Sequence, residues 1–214
     1  MPYTPVYTGA SFKAAIATHL NRTDLTSLIP DFCALAVKEL EKKKFWFQIV
    51  HQTPVPTTIN VGYSDLPTDF LFEIDKEIGE TLVMPPTNYS LTKIDYPSII
   101  YFQTAGATNN KPYYFAITDR IDWYPIPDDT YTLTDAPQMS YYKHLPFPGD
   151  ASYNDWTDAV WDLTFWAVIE EAGRYMEDQA VQTKAHERME KKLVEYQNQY
   201  GLRQAVGRVR LTKF

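Results

Sequence analysis

The placement of proline divides this chain more sharply than any other property. Twelve of its fifteen prolines fall between residues 53 and 150 of 214. Proline has no backbone donor and blocks the interior of a helix, so no long helix can run through that stretch. The two flanks hold only Pro2, Pro5 and Pro30 and are free to be helical. The resulting expectation is an α+β chain: helices at both ends and sheet in the middle. The short runs 99–102, 113–117, 121–124, 131–133 and 139–142 are rich in β-branched and aromatic residues and predict strands. Phe45, Phe47 and Ile49 open the region with a period of two. With no alternating helices to supply crossovers, the middle is expected to be an antiparallel sheet or small sandwich.

The flanks carry helical spacing. Ser11 is a predicted cap for a helix that places Phe12, Ala15, Ile16 and Leu20 on one side. Asn21 to Asp24 is a polar turn. Ser27 is a predicted cap for a second helix, with Pro30 in its first turn and Leu28, Phe32, Leu35 or Ala36, and Leu40 on its apolar face. From Trp156 helix returns, apolar almost all round, as in a helix buried among others. Asp178 is the predicted cap of a second arm carrying Ala185, Met189, Leu193, Tyr196 and Tyr200, with Gly201 as the residue that ends it. The expected architecture is a four-helix bundle interrupted by an inserted antiparallel β-domain. Its segments are residues 1–44 for the N-terminal helices, 45–152 for the β-domain, 153–200 for the C-terminal helical hairpin and 201–214 for an extended C-terminal arm.

Charge and chemistry narrow the function. Formal charge is −7, against a general nucleic-acid binder, whose affinity comes from cations. The last fourteen residues invert that balance, with Arg203, Arg208, Arg210, Lys213 and no acid. One cysteine, Cys33, permits neither an internal disulfide nor a thiolate zinc site and reads as a buried, inert thiol. No apolar run approaches the roughly 20 residues of a membrane span, and the N-terminus lacks a secretory pattern; no membrane contact is expected. The histidines at 19, 51, 144 and 186 share no motif. Asp128-Asp129 reads as a polar turn, and Glu170-Glu171 as one interhelical contact and one solvated charge, since neighbours on a helix point about 100° apart. No catalytic residue, metal or cofactor is assigned, and no enzyme is expected. Trp123-Tyr124 and Tyr141-Tyr142 could stack on sugars, but core and interface packing fits them better, because strand alternation puts only one of each pair on a face.

Five segments in order resemble the head-to-tail adaptor (connector) proteins of short-tailed bacteriophages, relatives of the tail tubular A proteins. They are Leu20-Asn21-Arg22-Thr23-Asp24 with Leu28-Ile29-Pro30-Asp31-Phe32; Tyr63-Ser64-Asp65-Leu66-Pro67-Thr68-Asp69-Phe70; Lys111-Pro112-Tyr113-Tyr114 with Ile121-Asp122-Trp123-Tyr124-Pro125; Tyr131-Thr132-Leu133 with Tyr141-Tyr142-Lys143; and the helix from Leu163 to Asp178. The resemblance implies the same bundle with an inserted β-domain. It also implies a virion protein at the head-tail junction, present in the host cytoplasm during assembly. Such a protein forms a dodecameric ring below the portal, extends the DNA channel and carries the tail nozzle or fibres. Expected partners are the portal, tail nozzle or fibre proteins, further copies of itself and, in passing, double-stranded DNA. Arg203, Arg208, Arg210 and Phe214 are the portal-contact candidates. Trp123, Tyr124, Tyr141 and Tyr142 are the subunit- or tail-interface candidates. A head-completion stopper, another tail protein, or a carbohydrate- or peptide-binding module are the alternatives.

Overall fold

The computed structural model of the chain describes residues 7–74, 80–85, 89–105 and 111–211. They fall into two compact units, one drawn from the described residues within 1–47 and 145–214 and one from those within 48–144.

The first unit is helical. Helix α1 spans Gly9–Leu20, α2 Ile29–Glu41, α4 Trp161–Tyr175 and α5 Gln179–Leu211. Each gives its apolar stripe to one core: Phe12 and Ile16 from α1, Phe32 and Leu40 from α2, Leu163 and Val168 from α4, Ala185 and Leu193 from α5. Trp156 closes that core, edge-on to Phe45 and Phe47 and donating its Nε1–H to the Leu145 carbonyl at 2.6 Å. Cys33 lies inside it, fully buried, and burial pushes its thiol up to about 12.

The caps differ from the sequence reading in two places. Helix α1 is capped by Thr8, whose Oγ1 accepts the Ser11 N–H at 3.3 Å, so Ser11 sits inside the first turn. Ser27 lies in a short 3₁₀ turn, Thr26–Leu28, that runs straight into α2. Such turns often precede α-helices, and here the turn takes the place of a side-chain cap. Asn21 ends α1 in the left-handed region at φ 50°, a conformation asparagine tolerates better than most residues.

The α4–α5 hairpin turns where expected. The Asp178 carboxylate accepts the N–H groups of Ala180 and Val181 at 3.0 and 3.1 Å. Helix α5 does not stop at Gly201. It continues through Leu211, so the stretch predicted as an extended arm from 201 is helical over most of its length. One interior glycine costs a helix only about 1 kcal/mol, and the following Leu-Arg-Gln-Ala run favours helix.

The second unit holds two sheets. Strands β1 (Ile49–Pro54), β3 (Phe70–Glu73), β4 (Leu82–Met84), β5 (Tyr89–Ser90) and β9 (Gln138–Lys143) make the first, with β9 pairing β1, β3 and β4. Strands β2 (Tyr63–Asp65), β8 (Arg120–Tyr124), β7 (Tyr114–Ile117) and β6 (Thr92–Lys93) make the second, in that order. The core joins Leu82, Met139 and Tyr141 of the first sheet to Phe115, Ile121 and Trp123 of the second.

Four sequence expectations fail in this unit and in the segment that leads into it. Residues 99–102 are not a strand but part of helix α3 (Tyr96–Thr104). Asp95 caps it, taking the Ser98 N–H at 3.0 Å and the Ser98 hydroxyl at 2.8 Å, with Pro97 in the first turn. That cap outweighs the β preference of Ile-Ile-Tyr-Phe. Helix α3 connects β6 to β7, which pair parallel, so a crossover does exist; every other pairing among the described residues is antiparallel. Residues 131–133 run into a 3₁₀ turn, Leu133–Asp135, and the Phe45-x-Phe47 alternation is interrupted by another, Trp46–Gln48, before β1.

Candidate functional surfaces

The segments that looked most like signatures turn out to build the fold. Ser64 donates its hydroxyl to the Pro56 carbonyl at 2.7 Å and accepts the Trp123 indole N–H at 2.9 Å, the latter bond buried. Asp69 accepts the Tyr141 hydroxyl at 2.6 Å, and its carbonyl takes the His144 N–H. Burial, with the Asp69 carboxylate adding to it, pushes the Tyr141 phenol up to about 12. Tyr63 lies under the Arg120 guanidinium, 4.3 Å from its ring centroid. Arg120 in turn pairs with buried Asp122, whose other carboxylate oxygen has no partner among the described residues. Lys111 covers the Tyr131 ring at 5.3 Å, and the Pro112 carbonyl accepts the Tyr89 hydroxyl. These residues cross-link strands and loops.

The aromatic candidates separate by burial. Trp123, Tyr141 and Tyr142 are interior side chains, at 0, 2 and 2 % exposure. As interface residues they are corrected: β9 is buried on both faces, so neither Tyr141 nor Tyr142 turns outward, and in β8 it is Trp123 that faces the core. Tyr124 alone of the four is half-buried. It belongs to an aromatic face that sequence reasoning missed. Phe102 stacks on Tyr124 with centroids 5.1 Å apart, Tyr101 meets Phe102, and Tyr114 meets Tyr124. Tyr101 is 72 % exposed, Phe102 and Tyr114 each 38 %. Helix α3 creates this face by lifting residues 101 and 102 beside β7 and β8. The signal was the Asp95-Tyr-Pro-Ser98 start of that helix. Contiguous exposed apolar surface of this kind marks contact sites.

A second surface lies in the helical unit. An open cavity of about 190 Å³ is bounded by α2, α4 and α5. Leu40, Ala167, Met189 and Leu193 form its apolar floor. Its rim is charged. Arg174 holds both Glu170 (3.3 Å) and Glu171 (2.8 Å), and the His186 Nδ1 lies 3.2 Å from Glu170. The expectation of one solvated charge in the Glu170-Glu171 pair is therefore corrected, since both carboxylates are nearly buried and one guanidinium reaches them together. Burial raises Glu171 above the ordinary carboxylate range, Arg174 opposes that, and Glu170 and Glu39 add to it.

The Asp128-Asp129 pair is a turn: Asp129 accepts the Thr130 N–H and Asp128 accepts the Tyr131 hydroxyl. No group of His, Cys, Asp and Glu able to hold a metal occurs among the described residues. Nor is any helix there long and apolar enough to cross a membrane. Arg203, Arg208 and Arg210 lie on the distal part of α5; Phe214 is outside the described residues. Net charge is segregated: the β unit carries five cations and twelve acids, while the helical unit carries fifteen of each.

The two units thus hold signature residues that maintain the fold, and they carry two notable surfaces, an aromatic face and a charged groove. The model of one family, described as the SU10 adaptor protein, matches residues 7–211, almost the entire sequence. The chain belongs to that family, in agreement with its resemblance to phage head-to-tail adaptors, and is a structural component of the phage virion that works against other virion proteins. No curated protein matches it.

Proposed function

We propose that this protein is the ring-forming adaptor below the portal, a dodecamer that extends the DNA channel and carries the tail nozzle or fibres. The observation that carries the reading is the family match over residues 7–211. Closed rings of identical chains use heterologous contacts, in which each copy offers two unlike surfaces. The exposed aromatic face and the charged groove meet that requirement. Arg203, Arg208, Arg210 and Phe214, at the basic end of the chain, are the portal contacts in this reading, and Tyr124 with its exposed aromatic neighbours serves the tail or a neighbouring subunit. No step of this function calls for a catalytic residue.

The excess of acid in the β unit suits a wall along which DNA passes, since fixed cations would hold phosphate and slow its travel. Replacing a cluster of exposed acids there by lysine should slow genome release from otherwise intact particles, measured as DNA ejected per unit time. Unchanged release would remove the acids from the channel. Truncation after Gly201 tests the portal contact. The shortened chain should fold, by circular dichroism, yet fail to join portal-bearing heads; joining with undiminished yield would overturn it.

A further inference from the structure

The groove between α2, α4 and α5 has an apolar floor and a rim with more acid than base. Glu39, Glu170, Glu171 and Glu190 line it, against Lys43, Arg174 and His186. Arg174 is already shared by Glu170 and Glu171, Lys42 pairs with Glu39 at 2.7 Å, and Glu190 has no ion-pair partner among the described residues. A cationic side chain flanked by apolar residues is the complement of such a site, because its stem covers the floor while its head meets the carboxylates.

The chain itself contains a segment of that chemistry. Residues 201–214 carry four cations and no acid, interspersed with Leu202, Ala205, Val206, Val209 and Leu211. Its own copy cannot deliver it. Helix α5 is continuous from Gln179 to Leu211, and the groove touches it at His186, Met189, Glu190 and Leu193. Arg208 therefore lies roughly 22 Å farther along the same rod than Leu193, at 1.5 Å per residue. A second copy has no such restriction.

We propose that the basic end of α5 from one copy docks in the acidic α2–α4–α5 groove of the next. The contact is heterologous, so it propagates from copy to copy and either closes or extends. It rests on the reading of the protein as an adaptor assembled from identical chains. Portal docking of the same arginines excludes it, so it belongs to copies not yet on the portal. Charge drives it, and salt weakens it.

Sedimentation velocity of the full chain over a concentration series, at low and high salt, reads the contact directly. The expected result is a sedimentation coefficient that rises with concentration at low salt and loses that rise at high salt. Glu39→Lys with Glu190→Lys should abolish the rise, and so should Arg208→Glu with Arg210→Glu. Mixing the two charge-reversed proteins should restore association, which a merely misfolded variant cannot do. Circular dichroism checks each fold. Association that survives both reversals and truncation after Gly201 would overturn the proposal, as would a mixture that stays dissociated. Capture by portal rings, measured separately, tests the adaptor reading on its own.

Discussion

At Gly173 a hydrogen stands where any other residue places a carbon. A Cβ there would lie 2.9 Å from the Gln182 nitrogen and 3.2 Å from its Cα, both backbone atoms of α5. Backbone cannot step aside as a side chain can, so Gly173→Ala forces the α4–α5 hairpin apart. Overpacking of this kind costs about 1–3 kcal/mol, to be read as a lower denaturation midpoint with unchanged slope in urea. Glu171 makes a prediction of pH dependence. Its folded value is raised, chiefly by burial. Between the unfolded and the raised folded value the native state keeps a proton that the unfolded chain has released, so stability falls as pH rises through that window. Glu171→Gln removes the fall. The melting temperature of the variant relative to wild type should therefore be more favourable at pH 7 than at pH 4. The opposite trend would mean that the Arg174 ion pair outweighs burial. Cys33, buried and held up to about 12, should react with a thiol reagent only as fast as the helical unit opens, checked by comparing labelling with hydrogen exchange in α2.

Among the elements, α3 is the most informative. Its residues favour strand by composition, yet one aspartate, one proline and one serine at its start fix it as helix. Asp95→Ala removes both hydrogen bonds to Ser98 and should cost about 1 kcal/mol. Amide exchange should quicken over 96–104 while α1 and α2 keep their protection. The same case shows what the sequence could disclose. Helices α1, α2, α4 and the start of α5 were legible because their apolar spacing coincides with the faces they bury. Strands β7, β8 and β9 were legible because each is a short aromatic or β-branched run between turns. The 3₁₀ turns at Thr26–Leu28, Trp46–Gln48 and Leu133–Asp135 were not, since they override local preference for the sake of connection. The continuation of α5 past Gly201 was missed because a glycine at a plausible stop looks the same whether or not the helix goes on.

For the whole molecule, charge is divided between a balanced helical unit and an acidic β unit. In the proposed ring, the like charge of the β units disfavours contacts between them and leaves the helical unit as the favoured partner surface. The surfaces themselves were only partly readable. Aromatic dipeptides pointed to the right strands, but Trp123, Tyr141 and Tyr142 are buried, because central strands cover both faces. The exposed aromatic face needs α3, and the groove needs three helices brought together over some 150 residues of sequence. No pattern within one element signals either. Ser64, Asp69 and Trp123, which lie in the segments that carried the resemblance, serve folding.

The central claim, an adaptor seated on the portal, is most directly tested by mixing the purified chain with isolated portal rings of its own phage and viewing the product by electron microscopy. The account predicts portal rings with a second, coaxial collar of density on one face, absent when the chain is cut after Gly201. Portal rings that remain bare at saturating concentrations of folded full-length protein would contradict it.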